Sequence, residues 1–199
     1  MNAEQNSGRP TVLLPDRDTT NFLFYRQVNQ DSINDFTITL ENWSLNNRGA
    51  DEAAAKPLRI QLNTGGGNIV DGLALVETIK RLRGIGHKVT VAAYGRAGSC
   101  AAFILQAADV RVIGSESWLL IHEASSACNG PLSAMKREVK RTQELQEQTI
   151  ELLCRRSRLT RKQILRKISN GADWWIRAQT ALKEHELVDL IELEMEPRQ

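Results

Sequence analysis

The sequence predicts an α/β domain on a mainly parallel sheet, and three observations predict it. Short β-type runs alternate with segments of helical periodicity along most of the chain. Two strand-to-helix junctions are rich in glycine, Gly65-Gly66-Gly67 and Gly95 to Gly98. A chain of 199 residues, 41% of them hydrophobic, is long enough to bury one sizeable core and short enough to argue for one domain. Residues 1–20 read as a mobile polar tail and residues 21–199 as that domain.

Asn21 to Val28 reads as a first strand, and Ser32 to Trp43, with Ile33, Phe36 and Leu40 at helical spacing, as the helix after it. Asn46 to Ala55 reads as a polar, Ala-rich surface loop. Leu58 to Leu62 is a short strand that runs into the three glycines. Ile69, Leu73, Val76 and Ile79 then form the apolar stripe of a helix to about Arg83, broken by Gly84 and Gly86. Val89 to Tyr94 is strand-like, Gly95 to Gly98 a turn, and Cys100 to Ala108 an apolar helix. Strands follow at Val110 to Ile113 and Trp118 to His122, then a polar segment from Glu123 to Gly130.

The pattern then changes. Leu132, Met135, Val139, Thr142, Leu145, Thr149 and Leu152 recur at close to helical spacing, which predicts a long helix of roughly 25 residues, or about 37 Å. Shorter helices are expected near Thr160 to Ile168, capped around Leu159-Thr160, and at Ala178 to Glu184, with a last strand at Leu187 to Ile191.

Global composition excludes more than it selects. Lys+Arg 26 against Asp+Glu 24 leaves a net charge of +2, too balanced to signal nucleic acid or a membrane surface. Cys100, Cys128 and Cys154 form no C-x-x-C pair, so neither a zinc site nor a disulfide framework is indicated, and three thiols fit a reducing compartment. Residues 1–10 lack the order of a secretory signal and no apolar run has bilayer-spanning length, so a cytoplasmic protein is expected.

Four features could do chemistry. Ser99 stands between a strand and a helix among small residues, where backbone N–H groups are close and a substrate carbonyl can approach; alone it could equally be an N-cap. Asn63-Thr64-Gly65-Gly66-Gly67-Asn68 can present N–H groups to an anion, or be only a tight turn, and it matches neither phosphate-loop pattern. His122 ends an apolar strand, a place where a lone histidine is often structural; His87 and His185 read as surface residues. Asp173, after Asn170-Gly171, alone reads as a turn or capping aspartate. Together they supply what acyl transfer requires: a weak nucleophile, a base, a carboxylate to hold the base's tautomer, and oxyanion donors.

In order along the chain these motifs resemble those of the Clp protease proteolytic-subunit (ClpP) family, serine peptidases of the Clp/crotonase fold. Asn63-Thr64-Gly65-Gly66-Gly67 resembles N-S-P-G-G, Gly95-Arg96-Ala97-Gly98-Ser99-Cys100-Ala101 resembles G-x-A-A-S-M-G, and Ile121-His122-Glu123 resembles I-H-Q. Asp173 to Ala181 resembles D-R-F-L-S-A-P-E-A, and Leu187-Val188-Asp189 the end of G-L-V-D. The resemblance implies Ser99 as nucleophile, His122 as base, Asp173 as its orienting carboxylate, and the N–H groups of Gly66 and Cys100 as oxyanion donors. It also implies a protruding handle helix from Leu132, a homo-oligomer of heptameric rings, unfolded polypeptide substrates, an ATP-driven AAA+ unfoldase as partner, and no metal or organic cofactor. Gly65 and Ala124 stand where the family has prolines.

Other classes compete. A crotonase-type CoA-thioester enzyme would use the same N–H pairs without needing a serine and histidine. A Ser-Lys dyad finds no lysine in a site position, and a non-catalytic ring or scaffold subunit needs no triad. Arg155 to Lys167 is basic, and Leu159 to Leu182 could be drawn as a helix-turn-helix, but a charge run without interleaved aromatics is usually a solvated face.

Overall fold

The computed structural model describes residues 18–49 and 55–192. Nearly all of the expected tail lies outside them. The elements in order are β1 (Thr20–Phe24), α1 (Gln30–Asn47), β2 (Leu58–Thr64), α2 (Ile69–Gly84), β3 (Val89–Gly98), α3 (Cys100–Ile104), β4 (Val110–Gly114), β5 (Trp118–Ile121), α4 (Leu132–Cys154), α5 (Arg161–Ile168), β6 (Trp174–Arg177), α6 (Ala178–Lys183) and β7 (Leu190–Glu192). The strands form one seven-stranded sheet. Its main path, β1-β2-β3-β4-β7, is parallel throughout, as the alternation of strands and helices predicts.

The sheet forks at β3. Thr90–Ala93 pair with β4, whereas Arg96–Gly98 pair with β5, and β6 then adds antiparallel to β5. Gly95 stands at the change of partner with φ +74, and its N–H donates to Ser117 Oγ at 2.9 Å. Gly95 to Gly98, expected as a turn, is therefore strand. The extra residues are absorbed as a bulge, since Leu62 pairs with Ala93 but Thr64 with Ala97. The fork carries β3 far enough to reach both β2 and β5 at the level of Ser99.

Helix starts follow from local chemistry. Asn29 and Ser32 form a capping box at α1, Asn68 Oδ1 accepts from Val70 and Asp71 N–H at α2, and Thr160 and Gln163 form a second box at α5. α1 extends past Trp43 to Asn47, into the segment expected as a loop, and residues 50–54 lie outside the described ones. The stretch drawn as a helix-turn-helix is not one. After α5 comes a 3₁₀ turn at Ser169–Gly171, where Asn170 takes φ 60, and then β6. Four cations of the basic run are also paired locally, as Arg155–Glu151, Arg156–Asp189, Arg158–Glu186 and Arg161–Glu147.

The core lies between the sheet and its helices. Leu58, Ile60 and Leu62 of β2, Leu75 and Ile79 of α2, and Leu119 of β5 are fully buried, each contributing about 1.5–3 kcal/mol. One buried polar cluster anchors β4: Arg111 gives three hydrogen bonds to Asp189, from its guanidinium at 2.5 and 3.1 Å and from its backbone N–H at 2.8 Å, and one each to Gln106 and the Arg156 carbonyl. Burial pushes the Asp189 carboxyl up, but hydrogen bonds from Arg111 and the charges of Arg111 and Arg156 outweigh it and hold it below its ordinary value. Tyr94, packed with Arg59 and Glu192, is raised to about 12, chiefly by burial and then by the bond it donates to Glu192, so it stays a neutral donor.

His87 is not a surface residue. It is 1% exposed, packed on Trp43, with Nε2 2.8 Å from Ser44 Oγ and Nδ1 2.8 Å from the Lys56 carbonyl, all brought from distant parts of the chain. His185 is half-buried, edge-on to Trp174, and burial lowers its pKa. Among the described residues no helix is long and apolar enough to cross a membrane.

α4 has 23 residues, so it is about 34 Å long. Its C-terminal part anchors it through Ile150, Leu152 and Leu153, which are buried, while Leu132, Met135 and Val139 near its start are 67%, 43% and 59% exposed.

Candidate active site

Three parallel strands end at one place. β2 runs out into the glycine loop, β3 into Ser99 and β5 into His122, so all three stand at the carboxyl ends of strands, where α/β sheets build their sites. Ser99 adopts φ 52, ψ −115, a conformation that costs a non-glycine residue about 1–3 kcal/mol. It occupies the N-cap position of α3, yet its side chain makes no capping bond. The plain N-cap reading of this serine does not hold.

The turn keeps its shape because the glycine loop is jammed against it. A Cβ on Gly66 would sit 2.6 Å from the Gly98 carbonyl oxygen, 2.6 Å from Ser99 Cβ and 3.0 Å from Cys100 N. A Cβ on Gly98 would meet the Gly65 carbonyl at 2.9 Å. Only glycine permits this approach, and Gly66 also needs its φ of +96. From the other side, the Ser99 N–H donates to the Leu120 carbonyl at 2.8 Å.

The loop itself is tied down by four contacts. Val28 N–H donates to the Gly66 carbonyl at 2.9 Å and the Val28 carbonyl accepts from Asn68 N–H at 2.8 Å. Gly66 N–H donates to Thr64 Oγ1 at 3.1 Å, and the Cys100 thiol donates to the Gly67 carbonyl at 3.1 Å. The N–H of Gly66, expected as an oxyanion donor, is thus already engaged. The N–H of Gly67 has no partner among the described residues, and that of Cys100, first residue of α3, has no intrahelical acceptor.

Ser99 and His122 line one small cavity of about 30 Å³, with Ile69, Phe103, Ile121, Ala124, Thr149 and Leu153. That volume holds about one water molecule. Asp173 does not line it. The β5–β6 ladder ends at the pair Ile121–Trp174, and one further step in the same register would set His122 opposite Asp173. Asp173 is exposed, and among the described residues no hydrogen bond joins Ser99, His122 and Asp173. His122 Nδ1 instead faces its neighbour's carbonyl, Glu123 O, at 2.7 Å, so Nδ1 is the donor of this bond, and in the neutral imidazole Nε2 is the acceptor.

α4 closes the site from outside the sheet. Gln146 Oε1 accepts the Ala124 N–H at 2.9 Å, and Ser126 Oγ donates to Glu138 at 2.6 Å, which lays the segment after His122 along the helix. The sequence placed Thr64 and Gly67 in the glycine loop and Thr149 on the long helix without giving any of them a role of its own, and it did not point to Gln146. Thr64 had a local signal, being the hydroxyl beside three glycines; the α4 residues had none, because their role depends on where a helix packs. No cluster of three or more His, Cys, Asp or Glu that could hold a metal occurs among the described residues.

The sheet and this site define an α/β protein with its reactive groups at the ends of parallel strands. Residues 21–193 match the family model described as Clp protease, and the chain belongs to that family of peptidases.

Proposed function

We propose that the chain is a serine endopeptidase that hydrolyses peptide bonds of unfolded polypeptides through Ser99, His122 and Asp173. The observation that carries this reading is a strained Ser99 sharing one cavity with a His122 whose Nδ1 is turned to the Glu123 carbonyl. Ser99 Oγ attacks the scissile carbonyl carbon while its proton passes to His122 Nε2, and the carbonyl π pair moves onto oxygen. That oxyanion is met by N–H groups at the head of α3 and in the glycine loop. The two that require no bond to be broken are those of Cys100 and Gly67; the N–H of Gly66 joins only if Thr64 releases it. Collapse breaks the C–N bond as His122 returns the proton to the leaving amine. Water, deprotonated by the same imidazole, then cleaves the acyl-enzyme.

Asp173 orients His122 once the two side chains close the next step of the ladder. Family membership supports a ring assembly fed by an AAA+ unfoldase, and the exposed apolar start of α4 supports its use as a handle between subunits. The test is intact-mass analysis after fluorophosphonate treatment, run on the sedimenting assembly as well as on the single chain. One adduct on wild type, absent from Ser99→Ala and His122→Ala, is expected. No adduct on folded, assembled wild type would sink the reading.

A further inference from the structure

Three consecutive glycines have more conformational freedom to lose than any other tripeptide, so a donor borne by them is useful only if something holds it in place. The bonds around Gly67 show what does. Both groups that face Val28, the Gly66 carbonyl and the Asn68 N–H, flank Gly67 in the chain. In this strand-like pairing a residue's own N–H and carbonyl point to the side opposite its flanking groups. Gly67's own pair therefore points away from Val28, and its carbonyl meets the Cys100 thiol at 3.1 Å. Its unpartnered N–H emerges on that same side, next to the residue that follows Ser99.

We propose that Cys100 is a positioning residue for the oxyanion site: its own N–H is one donor, and its thiol, clamped on the Gly67 carbonyl, aims the other. This rests on the serine-peptidase reading above. The thiol is suited to the task because it is buried and its S–H donates to the Gly67 carbonyl, while the Ser99 side chain is the sulfur's other hydrogen-bonding neighbour. Burial raises its pKa, so it remains an S–H donor and not a reactive thiolate. Packing allows it no other place: a Cβ on Gly72 of α2 would lie 3.1 Å from Cys100 Cβ and 2.9 Å from Phe103, so α2 presses α3 against the loop.

The experiment compares fluorophosphonate labelling rates and, on a fluorogenic peptide, kcat and KM for wild type, Cys100→Ala and Cys100→Ser, each with its thermal midpoint. Removing one oxyanion donor outright costs about 10²–10³-fold, so misaiming one should cost Cys100→Ala about tenfold in labelling rate and kcat with KM nearly constant. Cys100→Ser, which keeps a donor, should recover most of that loss. Wild-type rates in Cys100→Ala, or a Cys100→Ser as slow as Cys100→Ala at equal thermal stability, would overturn the clamp while leaving Ser99 as nucleophile. Failure of wild type itself to label would remove both readings. Should Cys100→Ala not fold, the S–H stretching band, taken as the wild-type minus Cys100→Ser infrared difference, decides: a band shifted down by hydrogen bonding supports the clamp, and a free-thiol band refutes it.

Discussion

The two sides of the candidate site are held in different ways. On the Ser99 side, β3, α3 and the glycine loop are locked by close backbone contacts and by bonds from Val28, Thr64, Leu120 and Cys100, and Ala97, Cys100 and Ala101 are fully buried. On the other side, His122 and Asp173 stand just past the last pair of a four-residue ladder; Asp173 is exposed, and among the described residues the His122 side chain is bonded only to the carbonyl next to it. The geometry of Ser99 is thus a property of the core, whereas the alignment of His122 with Asp173 depends on two side chains at a free end. A site built this way can be complete in its rigid half and adjustable in the other.

Substitutions can break or sharpen that contrast. Ser99→Ala should lower peptide hydrolysis by about 10⁴-fold or more, with stability changed by no more than about 0.5 kcal/mol, read from initial rates and urea melts. Gly66→Ala, which sets a methyl 2.6 Å from both Ser99 Cβ and the Gly98 carbonyl, should abolish labelling and cost about 2–4 kcal/mol in the same melts. An equally rigid element away from the site gives the control: Asp189→Ala leaves the buried Arg111 guanidinium without its carboxylate and should cost about 3 kcal/mol.

Because the Asp189 pKa is depressed in the fold, its contribution is present above the ordinary carboxylate pKa and lost as pH falls through the lowered one. Asp189→Asn should therefore flatten the acid limb of stability against pH, and an unchanged limb would show that other carboxylates set it.

On the adjustable side the effect should be smaller. A carboxylate that alone fixes the histidine tautomer is worth about 10⁴-fold. Here the Glu123 carbonyl already holds the proton on Nδ1, so Asp173→Asn should cost only about 10–100-fold, less than His122→Ala. Equal losses in kcat/KM would mean that the Glu123 bond plays no part in the working site. Smallest of all, Val139→Glu on the 59% exposed face of α4 should shift stability by less than about 0.5 kcal/mol; if α4 packs between subunits as proposed, its large effect should be on the sedimentation coefficient.

The same contrast governs what could be read in the sequence. α2 and α4 were legible because their apolar residues repeat at helical spacing over many turns, and Ser99, the glycine loop and His122 because each follows a strand directly. β6 was not legible: Trp174-Trp175-Ile176-Arg177 is four residues long, and only its pairing with β5 makes it a strand. The continuation of β3 through Gly95 to Gly98 was hidden because two glycines signal a turn, and the fork that demands a bulge there involves partners far along the chain. His87 looked exposed for a similar reason, since it sits beside Gly86 while Trp43 and Ser44, which bury it, come from α1. Periodicity and punctuation are local signals, and these three features are set by contacts over long sequence separations.

The bond from the Ser99 amide to the Leu120 carbonyl ties the backbone of Ser99 to the strand that carries His122 two residues later. That single proton is consequently a gauge of the whole junction. If the strand ends part, it is released to solvent at once; while they stay together, its isotope exchange follows only the slow opening of β3 from β5. A substrate, inhibitor or neighbouring subunit that tightens the junction should slow the exchange of this one amide more than that of any residue in the segment after His122.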